Sequence, residues 1–261
     1  MESVIDENGI GKYLGNHFGE AIPHIDTHFF DLFTRSLSPY QFNPTGLNPL
    51  RETLDSLIDF ERLRRDAQIK LFINTTNVRT GKIRVFNPKE ITVDTLLASA
   101  CLPQFVKAVE IDGEPYWDGG YLGNPALWPL YEQGGAPDLV LVQLNPTVRE
   151  ELPTHPTDIT NRLNEISFNA SLMAEMRAID FVQRLLDAGR LEQPRYRRLF
   201  LHCIEDEDRM RNFKLSTKFN GDWDFLMILK QYGREAAEKW LATSFDKLGR
   251  ESSVDIRERF L

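Results

Sequence analysis

The amino-acid sequence predicts an α/β fold, and three observations support this prediction. Short β-rich segments alternate with helix-like segments along most of the chain, an order typical of layered α/β domains with parallel strands. Residues 138–145, DLVLVQLN, form a continuous apolar run, as expected for a strand covered on both faces. The 261 residues, of which 41% are hydrophobic, suffice for one sizeable α/β domain, or for one domain plus an appendage.

The N-terminal quarter predicts helices joined by a connector. Residues 24–37 have a helix-like apolar spacing. Residues 38–50, SPYQFNPTGLNPL, are rich in proline and asparagine and indicate a turn-rich connector. Residues 51–67 place apolar side chains at 54, 57, 58 and 60 among charged ones, so we predict one surface helix there.

Strands, a capped helix and a hairpin follow. Residues 69–78 and 83–87 are β-rich, and NVRTGK between them predicts a turn. Thr92 is placed to cap a helix that begins TVDTLL. Asp112-Gly113 favours a tight type I′ hairpin, which puts Asp118 at the end of its second arm.

The C-terminal part predicts two helices and one strand. The helical pattern from Asp158 to Leu191 is long, and Gly189 is its stop signal. Residues 196–205, YRRLFLHCIE, predict a strand, and residues 222–248 predict a further helix rich in aromatic residues and leucine.

Composition limits the function classes. The net charge of −8 argues against a nucleic-acid surface, and the basic run at 195–198 is too short to change that. Cys101 and Cys203 have neither disulfide nor metal spacing, which fits a reducing compartment. The acidic N-terminus does not resemble a leader, and no run approaches the ~18 apolar residues of a membrane span. We therefore expect a cytoplasmic protein whose membrane contact, if any, is peripheral.

The tripeptide Asp118-Gly119-Gly120 is the main candidate for a site. A carboxylate beside two glycines can be an ordinary turn, or it can be a base that needs backbone close to it. The predicted strand end favours the second interpretation, because α/β sheets place reactive groups at strand ends.

Other candidate motifs are weaker. His24 and His28 share one helix face in HIDTH, but Ile25 stands where a zinc helix carries its glutamate, so we expect no metal site. The sequence GKYLGNHFG has His17 where a nucleophile elbow needs serine. The chain contains no G-x-S-x-G and no Gly-rich phosphate loop, and we expect no cofactor.

Several stretches, taken in order, resemble the patatin-like phospholipase family. The likeness runs from about Ser38 to Asn145 and comprises SPYQFNPTGLNPLRE, FINTTNVRTGKIRVF, LLASACLP and EPYWDGGYLGNPAL. LLASACLP is similar to the A-S-x-A-x-P element that precedes the aspartate strand in this family. NEISFNASLMAEMRAI resembles a helical extension found in a bacterial branch of it.

This resemblance implies a Ser–Asp dyad that hydrolyses lipid or fatty acyl esters without histidine. Asp118 would be the base that takes the proton of the serine. Gly119 and Gly120 would permit close approach to it, and Asn124 with Pro125 would fix the following loop. An apolar groove beside Trp117, Tyr121 and Trp128 would suit an acyl chain.

The resemblance also implies an architecture. The family fold is a three-layer α/β/α sandwich around a largely parallel sheet. Residues 1–150 would be the C-terminal part of such a hydrolase domain, and residues 151–261 a mainly helical extension with one strand.

The departures from the family pattern leave three explanations open. The oxyanion loop and the G-x-S-x-G elbow lie upstream of the matched region in the family, so we expect a truncated hydrolase that is inactive as given. Alternatively, the chain is a shortened homologue that binds lipid or protein without catalysis. A third explanation is that Ser99 or Ser38 acts as nucleophile, which we disfavour because neither is predicted on an elbow. Missing strands would expose sheet edges, so homo-oligomerisation is a further expectation.

Overall fold

A computed structural model describes residues 37–66, 68–133, 135–192, 195–213, 217 and 220–261. These residues form mixed α/β structure and divide into two compact units, residues 37–129 and residues 130–261. Each unit has its own small sheet. The predicted helix at 24–37 and the His24/His28 pair lie outside the described residues, except for Leu37.

The first unit contains short helices and four strands. In chain order they are α1 (Pro39–Phe42), α2 (Leu50–Leu57), α3 (Phe60–Asp66), β1 (Ile73–Asn77), β2 (Ile83–Phe86), α4 (Val93–Ser99), β3 (Val109–Ile111) and β4 (Glu114–Asp118). A 3-10 turn, Gly119–Tyr121, follows β4 directly, and α5 (Trp128–Glu132) crosses the boundary between the units.

The prediction of a single helix over residues 51–67 is wrong, because two helices occupy this stretch. Ile58 is extended, with φ −120° and ψ 118°, and ends α2. The Asp59 carboxylate then accepts a hydrogen bond from the Arg62 amide at 2.9 Å, which starts α3. The predicted connector likewise holds the four-residue helix α1.

The strands of this unit pair in the order β2-β1-β4-β3, and all three pairings are antiparallel. The prediction of parallel pairing is therefore wrong for these four strands. Short connections explain the difference, since a hairpin joins β1 to β2 and another joins β3 to β4, whereas parallel neighbours need a long crossover. Asp112 and Gly113 have φ values of 53° and 79°, which confirms the predicted type I′ turn.

Helix α4 packs on this sheet and contacts β1, β3 and β4. The Thr92 hydroxyl accepts from the Thr95 amide, which confirms the predicted cap. Phe86, Ala98 and Tyr116 are buried together, and the Phe86 and Tyr116 rings meet edge to face at 5.8 Å. The core of the unit thus lies between α4 and the sheet that carries Asp118.

The second unit pairs two strands with long helices. Its elements are β5 (Asp138–Gln143), α6 (Pro156–Asp187), β6 (Phe200–Glu205), α7 (Glu207–Met210), α8 (Trp223–Ser244), a 3-10 turn (Phe245–Lys247) and α9 (Ile256–Phe260). The predicted long helix, strand and tail helix are confirmed, and Gly189 adopts φ 65° just past the end of α6.

Strands β5 and β6 are parallel, with Leu139 opposite Leu201 and Leu141 opposite Cys203. The prediction that β5 is covered on both faces is wrong. Leu139 and Leu141 are buried, but Val142 on the other face is 64% exposed. An unbroken apolar run does not distinguish these two environments.

The α/β class is confirmed, whereas the described residues, with one antiparallel and one parallel sheet, do not show the predicted three-layer sandwich around a largely parallel sheet. None of the helices in the described part of the chain is long and apolar enough to span a bilayer.

Candidate active site

Asp118 is the last residue of β4 and lies where three elements of the first unit meet. Its backbone amide donates to the Cys101 carbonyl at 2.9 Å, just beyond α4. The Thr76 hydroxyl on β1 donates to the Asp118 carbonyl at 2.8 Å. These two bonds attach the aspartate backbone to a helix end on one side and to the neighbouring strand on the other.

The side chain of Asp118 is also held. Its Oδ1 accepts from the Gly120 amide at 2.7 Å and thereby caps the 3-10 turn. A hydrogen bond from a backbone amide to a carboxylate is charge-assisted and stronger than a neutral one. Asp118 as a residue is half-buried, and the hydrogen bond from Gly120 orients its carboxylate.

The two glycines after Asp118 have different surroundings. A Cβ atom on Gly119 would lie 2.1 Å from the Asn74 carbonyl oxygen and 2.4 Å from Asn74 Nδ2, so no side chain fits there. Gly119 therefore permits close approach of β1 to the turn. Gly120 contributes its amide to the carboxylate.

Asn74 is a residue of this region that sequence reasoning missed. Its Nδ2 donates to the Gly123 carbonyl at 2.7 Å, and a Cβ on Gly123 would lie 2.8 Å from Ile83 Cδ1. Asn74 thus fixes the loop after Asp118 to β1 at a second point. The available signal was an asparagine inside a strand, a position where this residue type is depleted.

Asn124, predicted to fix this loop, lies at its far end. It is half-buried and precedes Pro125 through a cis peptide bond.

The charge of Asp118 affects two neighbouring groups. Burial, reinforced by the Asp118 carboxylate, raises the pKa of the Cys101 thiol to about 11. Burial and the same carboxylate also raise the pKa of Tyr121, although the hydrogen bond of its hydroxyl to Gln104 acts the other way. Cys101 is therefore a neutral thiol at neutral pH and a poor nucleophile.

The aromatic residues predicted to lie beside an acyl groove differ in their exposure. Trp117 and Trp128 are half-buried, whereas Tyr121 and Leu122 are exposed on the turn that follows Asp118. The apolar surface beside the carboxylate is thus formed most openly by Tyr121 and Leu122.

The two serines considered as substitute nucleophiles have local roles. Ser99 donates to the Leu96 carbonyl at 2.9 Å within α4. Ser38 precedes α1, and its backbone amide donates to Gln41 Oε1 at 2.8 Å. Ser99 lies inside a helix and not on a strand-to-helix turn, the position that exposes a nucleophilic serine in α/β hydrolases, whereas the residues before Leu37 lie outside the described part of the chain.

A second constellation, in the other unit, has the residue types of a catalytic triad. His202 Nε2 lies 3.1 Å from Asp138 Oδ1, and His202 Nδ1 lies 3.0 Å from Ser253 Oγ. A neutral imidazole would donate from Nε2 to the carboxylate, which can only accept when ionised, and Nδ1 would then accept from the serine hydroxyl.

The surroundings of this triad indicate a structural role. The His202 ring is 0% exposed, and the Ser253 and Val254 amides both donate to the Leu201 carbonyl. Neither amide is therefore free to stabilise an oxyanion. The Gly249 amide also donates to Asp138 Oδ1 at 2.8 Å, so the network attaches the chain after α8 to the sheet.

Within the described part of the chain, no group of three or more histidine, cysteine, aspartate or glutamate side chains is placed to hold a metal ion. The His24/His28 motif lies outside that part.

Comparison with known families gives one match, to patatin-like phospholipase, over residues 5–131. The matched segment contains Asp118 and all four strands of the first unit. A search of curated proteins gave no match. Residues 5–131, just under half of the chain, are therefore similar to the patatin-like phospholipase family.

Proposed function

We propose that Asp118 is the general base of a Ser–Asp site that hydrolyses lipid acyl esters. One observation supports this most directly. The Asp118 carboxylate sits at a strand end, oriented by the Gly120 amide, inside the segment that matches a lipid hydrolase family. A positioned carboxylate is what a serine hydroxyl needs in order to become a nucleophile.

The proposed chemistry has two half-reactions. The carboxylate takes the serine proton while the serine oxygen bonds to the ester carbonyl carbon, and the leaving alcohol departs with that proton. Water then attacks the acyl-enzyme, Asp118 takes the water proton, and the serine recovers it as the fatty acid leaves. Asp118 begins and ends each cycle ionised.

In this proposal the 261-residue chain supplies the base but not the nucleophile. It contains no G-x-S-x-G, and we expect it to be inactive by itself. The same proposal includes four further predictions. They are the three-layer sandwich, the division of the chain at residue 150, the support of the Asp118 loop by Gly119, Gly120 and Asn124, and the cytoplasmic location.

A second candidate is a non-catalytic module that binds lipid or protein. The missing serine motif favours it, and so do the exposed Tyr121 and Leu122 next to Asp118, which could contact an acyl chain without any turnover. Lipid binding therefore does not separate the two candidates, whereas covalent reactivity does.

The test uses the protein as its own cells make it. The chromosomal copy is tagged, and the isolated protein is treated with a fluorophosphonate and examined by intact mass. Asp118→Asn is the test variant. Asp112→Asn is the matched control, because Asp112 lies exposed on the hairpin and asparagine tolerates its positive φ.

If the cellular protein carries the nucleophilic serine outside these 261 residues, as the proposal requires, its wild type and the control should each give one adduct, and Asp118→Asn should be labelled at least about a hundredfold more slowly. Absence of labelling in all three would support the binding module. Equal labelling in all three would show that Asp118 is not the base. If the 261-residue chain by itself were labelled, the prediction that it lacks the nucleophile would be wrong.

A further inference from the structure

Helix α6 carries an apolar stripe on its exposed side. One side of this helix is buried through Leu172, Met176 and Ile179. A second row of apolar side chains, called here the α6 stripe, recurs mainly every three or four residues and is exposed: Ile159, Leu163, Ile166, Ala170, Ala174 and Phe181. Such spacing places the side chains along one line of a helix.

The exposure of the α6 stripe is large. Leu163 is 60% exposed and Ile166 is 52% exposed. Single exposed apolar residues need no explanation, but a continuous line over about 33 Å of helix does.

The charges on the stripe distinguish between its candidate partners. Arg177 is exposed on the same line, between Ala174 and Phe181. Arg184 lies one turn beyond Phe181, with its guanidinium 5.6 Å from the centre of that exposed ring, and its Nε donates to the Asp180 carboxylate at 3.0 Å, so only the outer end of its guanidinium is offered to solvent. Cations therefore cluster at one end of an otherwise apolar line.

We propose that the α6 stripe docks on a lipid–water interface that contains anionic headgroups. Its apolar side chains would enter the acyl region, while Arg177 and Arg184 extend to the phosphates. Phe181 beneath Arg184 suits the headgroup boundary, where a ring and a cation are both tolerated. The proposal adds a substrate surface to the lipid hydrolase function and rests in part on it.

A second copy of the chain is a less suitable partner. Two stripes paired along their length would place Arg177 against apolar side chains of the other helix, away from water. A buried unpaired cation is costly, whereas at a membrane it retains water and phosphate as partners.

The test is sedimentation of the chain with vesicles of phosphatidylcholine, with and without phosphatidylglycerol. The stripe variant is Leu163→Asp with Ile166→Asp. Leu241→Asp is the matched control, because Leu241 is a leucine on α8 with 52% exposure. A charge-reversal variant, Arg177→Glu, tests the cation.

We expect the wild type to bind mixed vesicles more tightly than phosphatidylcholine alone. The stripe variant should lower the partition constant by about tenfold or more, and Leu241→Asp should stay within about twofold. Arg177→Glu should weaken binding to mixed vesicles by about fivefold and leave binding to phosphatidylcholine nearly unchanged.

Absent binding by the wild type, or equal loss in the stripe and control variants, would overturn the proposal. So would a concentration-dependent dimer, seen by light scattering, that the stripe variant converts to monomer. Asp118→Asn should bind vesicles like the wild type, so failure of the hydrolase proposal would leave this result intact.

Discussion

The carbonyl oxygen of Asn74 occupies the space that a side chain at position 119 would need, 2.1 Å from the ideal Cβ position on Gly119. This contact joins β1 to the turn that orients Asp118. The candidate site therefore depends on a strand that contributes no carboxylate, and its stability can be tested from either side of the contact.

Gly119→Ala should destabilise the first unit, because the new methyl group would overlap a strand backbone that has little freedom to move. We expect a loss of about 2–4 kcal/mol in the free energy of unfolding, measured by urea titration. Gly233→Ala is the control, and it should change the free energy of unfolding in the opposite direction. Gly233 lies inside α8 with no atom within 4 Å of its ideal Cβ, and alanine there should stabilise by about 0.5–1 kcal/mol. A neutral Gly119→Ala would contradict the close contact.

Asn74→Ala removes the hydrogen bond to the Gly123 carbonyl and should cost about 1–3 kcal/mol. Hydrogen exchange of the Gly120 amide should accelerate, since the loop loses one of its two attachments to β1. Asn164→Ala, which removes an exposed 3.3 Å bond within α6, should change stability by less than about 0.5 kcal/mol. Unchanged exchange at Gly120 would show that Asn74 does not order the turn.

His202→Ala should destabilise the second unit by about 3 kcal/mol or more, because Asp138 would lose its buried partner. Labelling by fluorophosphonate should be unaffected, as expected for a structural network. His155→Ala is the control, since His155 is exposed at the start of α6 and caps nothing with its side chain. An adduct on Ser253 would instead show that the triad is catalytic.

Stability should decline in alkaline solution through Cys101. Burial raises the pKa of its thiol to about 11, whereas an unfolded cysteine titrates near about 8.5. The folded chain holds this proton more tightly, so the contribution is complete below about pH 8.5 and is lost as the pH rises through 11.

The alkaline loss should be smaller in Cys101→Ala, by up to about 3 kcal/mol between pH 8 and 11. Urea titrations of both proteins at a series of pH values provide the measurement. Parallel profiles would show that Cys101 is not the group responsible. Some decline should persist in the variant, because burial raises the pKa of Cys203 to about 12.

Local backbone signals were the most predictable part of this fold. Asp112-Gly113, Thr92 and Gly189 each specify a turn, a cap or a stop through their own chemistry, and the structure confirms all three. The end of α2 was missed because Ile58 is neither glycine nor proline. Asp59, which caps α3, is of a residue type that commonly starts helices.

Features that depend on distant residues were less predictable. The pairing of β1 with β4 and the exposure of Val142 are set by elements remote in sequence, and no periodicity reports them. At the candidate site, the position of Asp118 at a strand end could be predicted from the Asp112-Gly113 hairpin, whereas its role as a base stays a prediction. Asn74 could not be predicted, because its partner Gly123 is 49 residues away.

The network around His202 has a consequence for synthesis. Asp138 and His202 obtain their remaining partners from Gly249 and Ser253, so the parallel pair of strands is incomplete until the ribosome has released those residues. Until Gly249 and Ser253 have been translated, the Asp138 carboxylate and the His202 imidazole lack these partners, and their hydration opposes burial. We therefore expect the second unit to complete its folding only after this C-terminal segment has been translated, and a chain that ends before Gly249 should be digested by protease faster than the full chain.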